Sequence, residues 1–106
     1  MSFANLTDLP QRQLAPGYSA RIVHSDHLTI SHVDVAAGAP LPQHSHPHEQ
    51  ISNIVAGEFE MTVAGETRIL KAGMVAVIPS NAAHSGKAIT HCTIIDVFYP
   101  VREDFK

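Results

Sequence analysis

Glycine and proline divide this chain into segments that are too short for long helices. They recur at Pro40, Pro42, Pro47, Gly57, Gly65, Gly73, Pro79 and Gly86. Because these residues interrupt helices and favour turns, no stretch of about ten residues or more is predicted to be helical. Several short strands separated by turn residues are typical of a sandwich or a small barrel. The sequence therefore predicts an all-β fold.

The segments between these breaks are rich in residues that favour strands. In Glu58–Val63 polar and apolar side chains alternate, as in a strand with one buried face. We expect tight turns between antiparallel neighbours at Ala56-Gly57 and Ala64-Gly65, and a bulge near His32, where the apolar alternation changes phase. The first twenty residues are the least regular, and we expect them to wrap the outside of the barrel. The predicted strands are Leu28–Val35, Ile51–Val55, Glu58–Val63, Thr67–Leu70, Met74–Ile78 and Thr93–Tyr99.

Length and charge exclude several classes of protein. A chain of 106 residues is expected to form a single domain over residues 1–106. Seven basic and ten acidic residues give a net charge of −3 with no basic cluster, which argues against nucleic-acid binding. No signal peptide is predicted between Met1 and Pro10, and no apolar run is long enough to span a membrane. The single cysteine, Cys92, predicts a small buried side chain and fits a cytoplasmic protein.

Histidine is unusually frequent, with eight residues, and two of the eight have the spacing of metal ligands. His44 and His46 are two residues apart, so on an extended chain both imidazoles point to the same side. Gln50 shares this parity, whereas Glu49 has the opposite one and should point away. Imidazole favours Mn, Fe, Co, Ni or Zn over Mg or Ca. The pair alone is equally compatible with two solvated loop histidines.

A wider pattern resembles the two sequence motifs of the cupin superfamily. The first runs from Gly38 through His44, His46 and Gln50 to Gly57, and the second from Gly73 through Pro79 to His84. The resemblance implies an antiparallel double-sheet jelly-roll barrel with one divalent transition ion per chain on His44, His46, Gln50 and His84. Two residues depart from the second motif, Asn81 in place of glycine and Ala88 in place of asparagine, so the geometry of its loop stays open.

Such a ligand set carries no negative charge. The ion would keep its full charge and favour an anionic substrate. Among the other histidines, His48 is a candidate for supporting a ligand or lining the pocket. Surface or half-buried structural roles are expected for His24, His27, His32 and His91.

The last predicted strand contains an acidic residue on an apolar face. Ile94, Asp96 and Phe98 share this face, and a buried carboxylate is costly unless it has a partner or borders a wet cavity. The alternative is an aspartate paired in a salt bridge at a sheet edge. Arg102 follows this strand and could fold back across the barrel mouth, where its planar group would suit a carboxylate. The alternative is that Arg102 is a solvated charge near the end of the chain.

A closer resemblance, from about residue 20 to residue 105, links the chain to the bacterial pectin-degradation cupins. It rests on His44–Gln50, Gly57–Glu60 and the spacing of Asp96, Phe98, Pro100 and Arg102–Phe105. It implies an enzyme that converts 4,5-unsaturated monouronates from pectin or alginate into linear 5-keto-4-deoxyuronates. The implied catalytic residues are Asp96, Phe98 and Arg102.

Three alternatives stay open at this point: a metal-dependent dioxygenase, a sugar isomerase and a non-catalytic sugar-binding cupin. Oxygen consumption by the metal-loaded protein would favour the first. The expected partners are a small acidic sugar and, because small barrels often cover an exposed sheet edge with a second copy, another chain in a homodimer.

Overall fold

The computed structural model describes residues 2–106 and contains ten strands in two antiparallel sheets. The six-stranded sheet has the order β1-β2-β3-β10-β5-β8, and the four-stranded sheet has the order β4-β9-β6-β7. The strands are β1 (Arg12–Ala15), β2 (Tyr18–His24), β3 (Thr29–Val35), β4 (Pro40–His44), β5 (Glu49–Ala56), β6 (Glu58–Val63), β7 (Glu66–Lys71), β8 (Val75–Ile78), β9 (His84–Ala88) and β10 (Cys92–Tyr99). Short 3-10 helices span Leu6–Asp8 and Glu103–Phe105. This arrangement confirms the predicted double-sheet, all-β fold.

The core lies between the two sheets and is filled from both inner faces. Phe59 on the smaller sheet packs with Val35, Ile54 and Ile94 of the larger sheet, and all four side chains are buried. Cys92 is also buried, as predicted. Because apolar side chains fill this interior, the barrel is rigid around the site at its rim. Among residues 2–106, no helix has the length and hydropathy needed to cross a bilayer.

All six predicted segments correspond to strands, but four strands were missed. Strands β1 and β2 occupy residues 12–24, so the expectation of an irregular segment over residues 1–20 is wrong from Arg12 onward. Strand β4 contains two prolines, which are tolerated because this strand lies at a sheet edge. Strand β9 lacks β-branched residues and is held by pairing with both β4 and β6.

The predicted bulge at His32 is wrong. Strand β3 pairs with β2 and β10 in unbroken register through Ser31, His32 and Val33. The apparent change of phase has another cause, because the inward face carries the buried polar residues Thr29 and Ser31 while the outward face carries Ile30. The irregularities of register in this sheet fall instead between β1 and β2, at Gln13 and Ala15, and between β10 and β5, at Thr93 and Ile94.

Gly57 does not form the expected hairpin turn, whereas Ala64-Gly65 does connect β6 to β7. At Gly57 the chain passes from the six-stranded sheet to the four-stranded one. Its φ of +89° lies in the left-handed region, and an added Cβ would come within 2.1 Å of the His91 carbonyl oxygen. Glycine is therefore required at this crossing by both conformation and space.

Candidate metal centre and active site

Three histidines meet at the rim of the barrel with their ring nitrogens directed toward one another. His44 ends β4, His46 lies in the following loop, and His84 begins β9, directly opposite His44. One ring nitrogen from each residue lies within 4.8 Å of the other two. The structure thus places His84, which is distant in sequence, beside His44 and His46, as the resemblance to the two motifs predicted.

Backbone carbonyls fix the orientation of all three rings. Nδ1 of His44 bonds to the Pro42 oxygen at 2.8 Å, that of His46 to the His48 oxygen at 3.0 Å, and that of His84 to the Ala82 oxygen at 2.9 Å. Because a carbonyl only accepts, each Nδ1 carries the hydrogen, which leaves a lone pair on each Nε2. Metal-binding histidines are commonly held in this way.

The environment also keeps two of these rings uncharged. Burial lowers the pKa of His46, with a further lowering by the Arg102 charge, and burial likewise lowers the pKa of His84. The Nε2 atom of His84 is buried and has no hydrogen-bond partner among residues 2–106. A neutral imidazole with an unused lone pair is the form that binds a transition ion.

Gln50 completes the set of donor atoms. Its amide nitrogen donates to the Ser52 hydroxyl at 3.0 Å, which turns Oε1 toward His46 Nε2, also at 3.0 Å. Two lone-pair-bearing atoms then face each other, and a cation bound by both would relieve their repulsion. His44, His46, Gln50 and His84 therefore fit a divalent transition ion. Glu49 is exposed, as predicted from its parity.

The two departures from the second motif do not disturb the site. Asn81 has a φ of +64°, a conformation that asparagine adopts more readily than most residues after glycine. Its backbone N–H donates to the His46 carbonyl at 2.8 Å, which fixes the loop between the ligands. Ala88 is buried in the core, opposite Phe59.

Asp96 lies in the centre of the larger sheet, one strand away from Gln50. It pairs with Ser52 on the neighbouring strand β5, and the Ser52 hydroxyl donates to its carboxylate. Burial raises the pKa of Asp96, although hydrogen bonds from Ser52 and Gln50 and the Arg102 charge oppose this effect. Since β10 is a central strand and Asp96 forms no salt bridge within residues 2–106, the alternative of an aspartate paired at a sheet edge is wrong.

Arg102 folds back over the barrel, and its side chain is only 14% exposed. Its guanidinium carbon lies 4.9 Å from the centre of the Phe98 ring and 4.0 Å from that of Phe105. The alternative of a solvated terminal charge is therefore wrong. Phe98 also contacts His46 edge to face, with ring centres 5.8 Å apart, so the aromatic residue connects the arginine to the histidine cluster.

These groups border one cavity of about 350 Å³. Polar side chains form one part of its lining, and apolar side chains, among them Val33, Phe59 and Ile94, form the rest. The polar residues of the lining that can bind a metal ion, transfer a proton or bind an anion are His44, Gln50, His84, Asp96 and Arg102. The cavity therefore combines donors for a metal ion, a buried carboxylate and a cation for an anionic group.

A profile of the family described as Cupin domain matches residues 31–98. The chain belongs to this family. The match covers all the histidines of the cluster, Gln50 and Asp96, so these candidate site residues lie within the matched domain.

Comparison with individual proteins shows a similarity more specific than the family. This cupin is 36% identical, over 92% of both chains, to the pectin degradation protein KdgF of Dickeya dadantii (strain 3937). Its structure is similar to that of KdgF from Halomonas sp., with a TM-score of 0.92, 31% identity and coverage of 100% and 99% of the two chains. It is also similar to an RmlC-like cupin from Shewanella frigidimarina, with a TM-score of 0.94, 28% identity and coverage of 100% and 96%.

Several residues of this cupin's site were not identified from the sequence. Ser52 connects Gln50 to Asp96, and its only signal was a polar side chain at an inward position between Gln50 and Ile54. Phe105 and Asp104 contact Arg102 but lie in a terminal segment without periodicity. His48, by contrast, was a candidate from the sequence for supporting a ligand, and it contacts His46 through its carbonyl oxygen.

Proposed function

We propose that this cupin is a metal-dependent enzyme that opens 4,5-unsaturated monouronates from pectin or alginate breakdown to linear 5-keto-4-deoxyuronates. The observation that carries the proposal is the meeting of an uncharged set of metal donors, Asp96 and Arg102 around one cavity. An anionic sugar of this size suits such a cavity, and the likeness to the two KdgF proteins supports the same substrate class.

His44, His46, Gln50 and His84 would hold one divalent transition ion, with Mn, Fe, Co, Ni and Zn as the candidates. When bound, this ion would supply Lewis-acid stabilisation for the negative charge that develops on an enolate oxygen. The protein's part is to orient the three histidines through the carbonyls of Pro42, His48 and Ala82. Burial favours the neutral form of His46 and His84, because it lowers their pKa.

Arg102 and Phe98 would bind and orient the sugar. The guanidinium suits the carboxylate on C5, because its planar group can donate two parallel hydrogen bonds. Phe98 shapes the pocket beside it and excludes water from the reacting atoms. With its carboxylate on Arg102, the sugar would direct the anomeric end of its ring toward Asp96, which borders the same cavity.

Asp96 would move the proton. It accepts the proton of the anomeric hydroxyl as the bond between C1 and the ring oxygen breaks, which gives an aldehyde at C1 and an enolate at C5. The same carboxyl then delivers this proton to C4, and the enolate becomes the C5 ketone. The product has the same atoms as the substrate, so the step needs no oxidant. Burial, which raises the pKa of Asp96, suits a group that must both accept and return a proton.

The proposal is tested by incubating metal-loaded protein with unsaturated galacturonate and recording ultraviolet absorbance. Loss of the conjugated double bond removes the absorbance, so the signal should decline faster than in a protein-free sample. Simultaneous oxygen uptake would favour a dioxygenase, and saturable binding without loss of absorbance would favour a sugar-binding cupin.

Replacement of Arg102 should weaken the handling of the carboxylate. A charge-assisted hydrogen bond contributes about 1.5–3 kcal/mol, so Arg102→Ala should lower kcat/KM by about 10- to 150-fold. Arg102→Lys keeps the charge but loses the planar fork, and should recover only part of this loss. Arg68→Ala, an exposed arginine on β7, is the control. Unchanged steady-state kinetics in Arg102→Ala would remove the residue from the site.

The proposed protein partner is a second copy of the chain, packed on the outer face of the six-stranded sheet. The paired residues Val23, Ile30, Val97, Ile51 and Val77 form one apolar row across β2, β3, β10, β5 and β8. Val23, Ile51 and Val77 are each 42% to 66% exposed. A continuous apolar row that ends at an edge strand is a surface that association would remove from water.

We expect light scattering after gel filtration to give the mass of a dimer. Val77 lies on the edge strand β8, at one end of this row, and Val77→Glu should shift the protein to monomer. Ile69→Glu is the matched control, because Ile69 is a comparably exposed side chain on the other sheet. A monomeric wild-type protein would contradict the assignment. The cytoplasmic location stays a prediction.

A further inference from the structure

Asp104 binds the side of the Arg102 guanidinium. Its two carboxylate oxygens accept from Nε at 3.2 Å and from Nη2 at 2.7 Å. The hydrogen bonds to Arg102 lower the pKa of Asp104, so the carboxylate is ionised under ordinary conditions. The pair is asymmetric in exposure, since the arginine side chain is 14% exposed and the aspartate side chain 57%.

This contact uses only part of the hydrogen-bonding capacity of the guanidinium. An arginine side chain has five N–H groups, and Asp104 takes one from Nε and one from Nη2. Both hydrogens of Nη1 and the second hydrogen of Nη2 are left, and no other side-chain bond of Arg102 occurs among residues 2–106. These remaining hydrogens form the end of the guanidinium, a second planar fork that matches a carboxylate.

From this geometry we infer that Asp104 is a positioning residue, which fixes the guanidinium so that its end fork is presented to the substrate carboxylate. The inference rests on the proposed function and deepens it. The rings of Phe98 and Phe105 limit movement of the guanidinium out of its plane, but rings alone do not fix rotation within that plane. The two bonds from Asp104 supply that missing constraint.

The backbone of this segment is held without the Asp104 side chain. The Arg102 N–H donates to the Thr29 hydroxyl at 2.8 Å, and Arg12 donates to the Asp104 carbonyl oxygen at 2.9 Å. Thr29 is fully buried and also bonds to His24 at 2.8 Å. Truncation of the Asp104 side chain should therefore leave the segment in place and release only the guanidinium.

The test compares Asp104→Ala with Glu103→Ala. Glu103 is the adjacent carboxylate, with a side chain 74% exposed and paired only with Lys106, so both variants lose one negative charge from the same short helix. We expect Asp104→Ala to raise KM for unsaturated galacturonate about tenfold, the effect of losing an oriented charge-assisted bond, with kcat little changed. Asp104→Asn should fall between this variant and the wild type, and Glu103→Ala should match the wild type.

Two further measurements separate this inference from other roles. In an Arg102→Ala background, Asp104→Ala should have no additional effect, because a positioning residue acts only through the group it positions. Calorimetric titration with saturated galacturonate should show that Asp104→Ala loses affinity by the same factor by which its KM rises. This titration decides the matter even if the wild-type protein fails to turn over unsaturated galacturonate, an outcome that would count against the proposed function alone.

Three results would overturn the inference. A lower KM in Asp104→Ala would mean that the aspartate competes with the substrate for Arg102. Equal effects of Asp104→Ala and Glu103→Ala would reduce its role to surface charge. An undiminished effect in the Arg102→Ala background would show that Asp104 acts through another group.

Discussion

Asp96→Asn should slow the turnover of unsaturated galacturonate by roughly 10²- to 10⁴-fold, the range expected when a general acid–base group is lost. Asparagine has nearly the same shape and can still accept the hydrogen bond from Ser52, but it cannot take up a proton. None of the four proposed ligands is altered, so metal content should not change. The measurement is the initial rate of absorbance loss at equal metal occupancy.

The stability of this variant should not fall. The pKa of Asp96 is raised by burial, so the folded state disfavours the ionised form, and ionisation at neutral pH reduces the stability of the native protein. A neutral asparagine removes this penalty, and the melting temperature should equal or exceed that of the wild type. Asp34→Asn, an exposed aspartate on β3, is the control for the rate. Normal turnover by Asp96→Asn would exclude Asp96 from proton transfer.

His84→Ala should lower metal affinity by at least about tenfold, because even the loss of a residue that only orients a ligand has an effect of this size. His84 lies directly opposite His44, and the cluster contains no further histidine, cysteine or carboxylate from residues 2–106 that could replace it as a donor. The metal content after dialysis, measured by mass spectrometry, should fall well below one ion per chain.

The neighbouring pair Glu49 and Gln50 provides the matched control for this prediction. Gln50→Ala should weaken metal binding, whereas Glu49→Ala should not, because the glutamate side chain is exposed and the glutamine side chain is buried against His46. Full occupancy in His84→Ala would contradict the metal centre. Loss of metal in Glu49→Ala but not in Gln50→Ala would mean that the wrong neighbour was assigned.

The parts of the site that were predicted from the sequence rest on strand parity and on the resemblance to the cupin motifs. Parity along an extended chain separated Gln50 from Glu49, and the resemblance joined His84 to His44 across 40 positions of sequence. Ser52 and Asp104 act through contacts between segments or through side-chain rotamers, and these depend on the folded chain. Their residue types alone did not distinguish them from ordinary surface or turn residues.

Strand β9, which was not predicted from the sequence, is held by its neighbours rather than by its own residues. Strand β9 contains His84, Ser85, Gly86, Lys87 and Ala88, which together have little tendency to form a strand, yet it pairs on both sides. The wrong prediction of a bulge at His32 has a different cause. On this strand polar Thr29 and Ser31 face inward and Ile30 faces outward, which is the reverse of the usual pattern.

The most direct test of the proposed reaction is a proton NMR spectrum of unsaturated galacturonate incubated with metal-loaded protein in heavy water. The alkene signal should disappear faster than in a protein-free sample. An open-chain 5-keto-4-deoxyuronate with deuterium at C4 should replace the substrate. An alkene signal that persists at the protein-free rate, or a product that has gained oxygen, would contradict the proposed reaction.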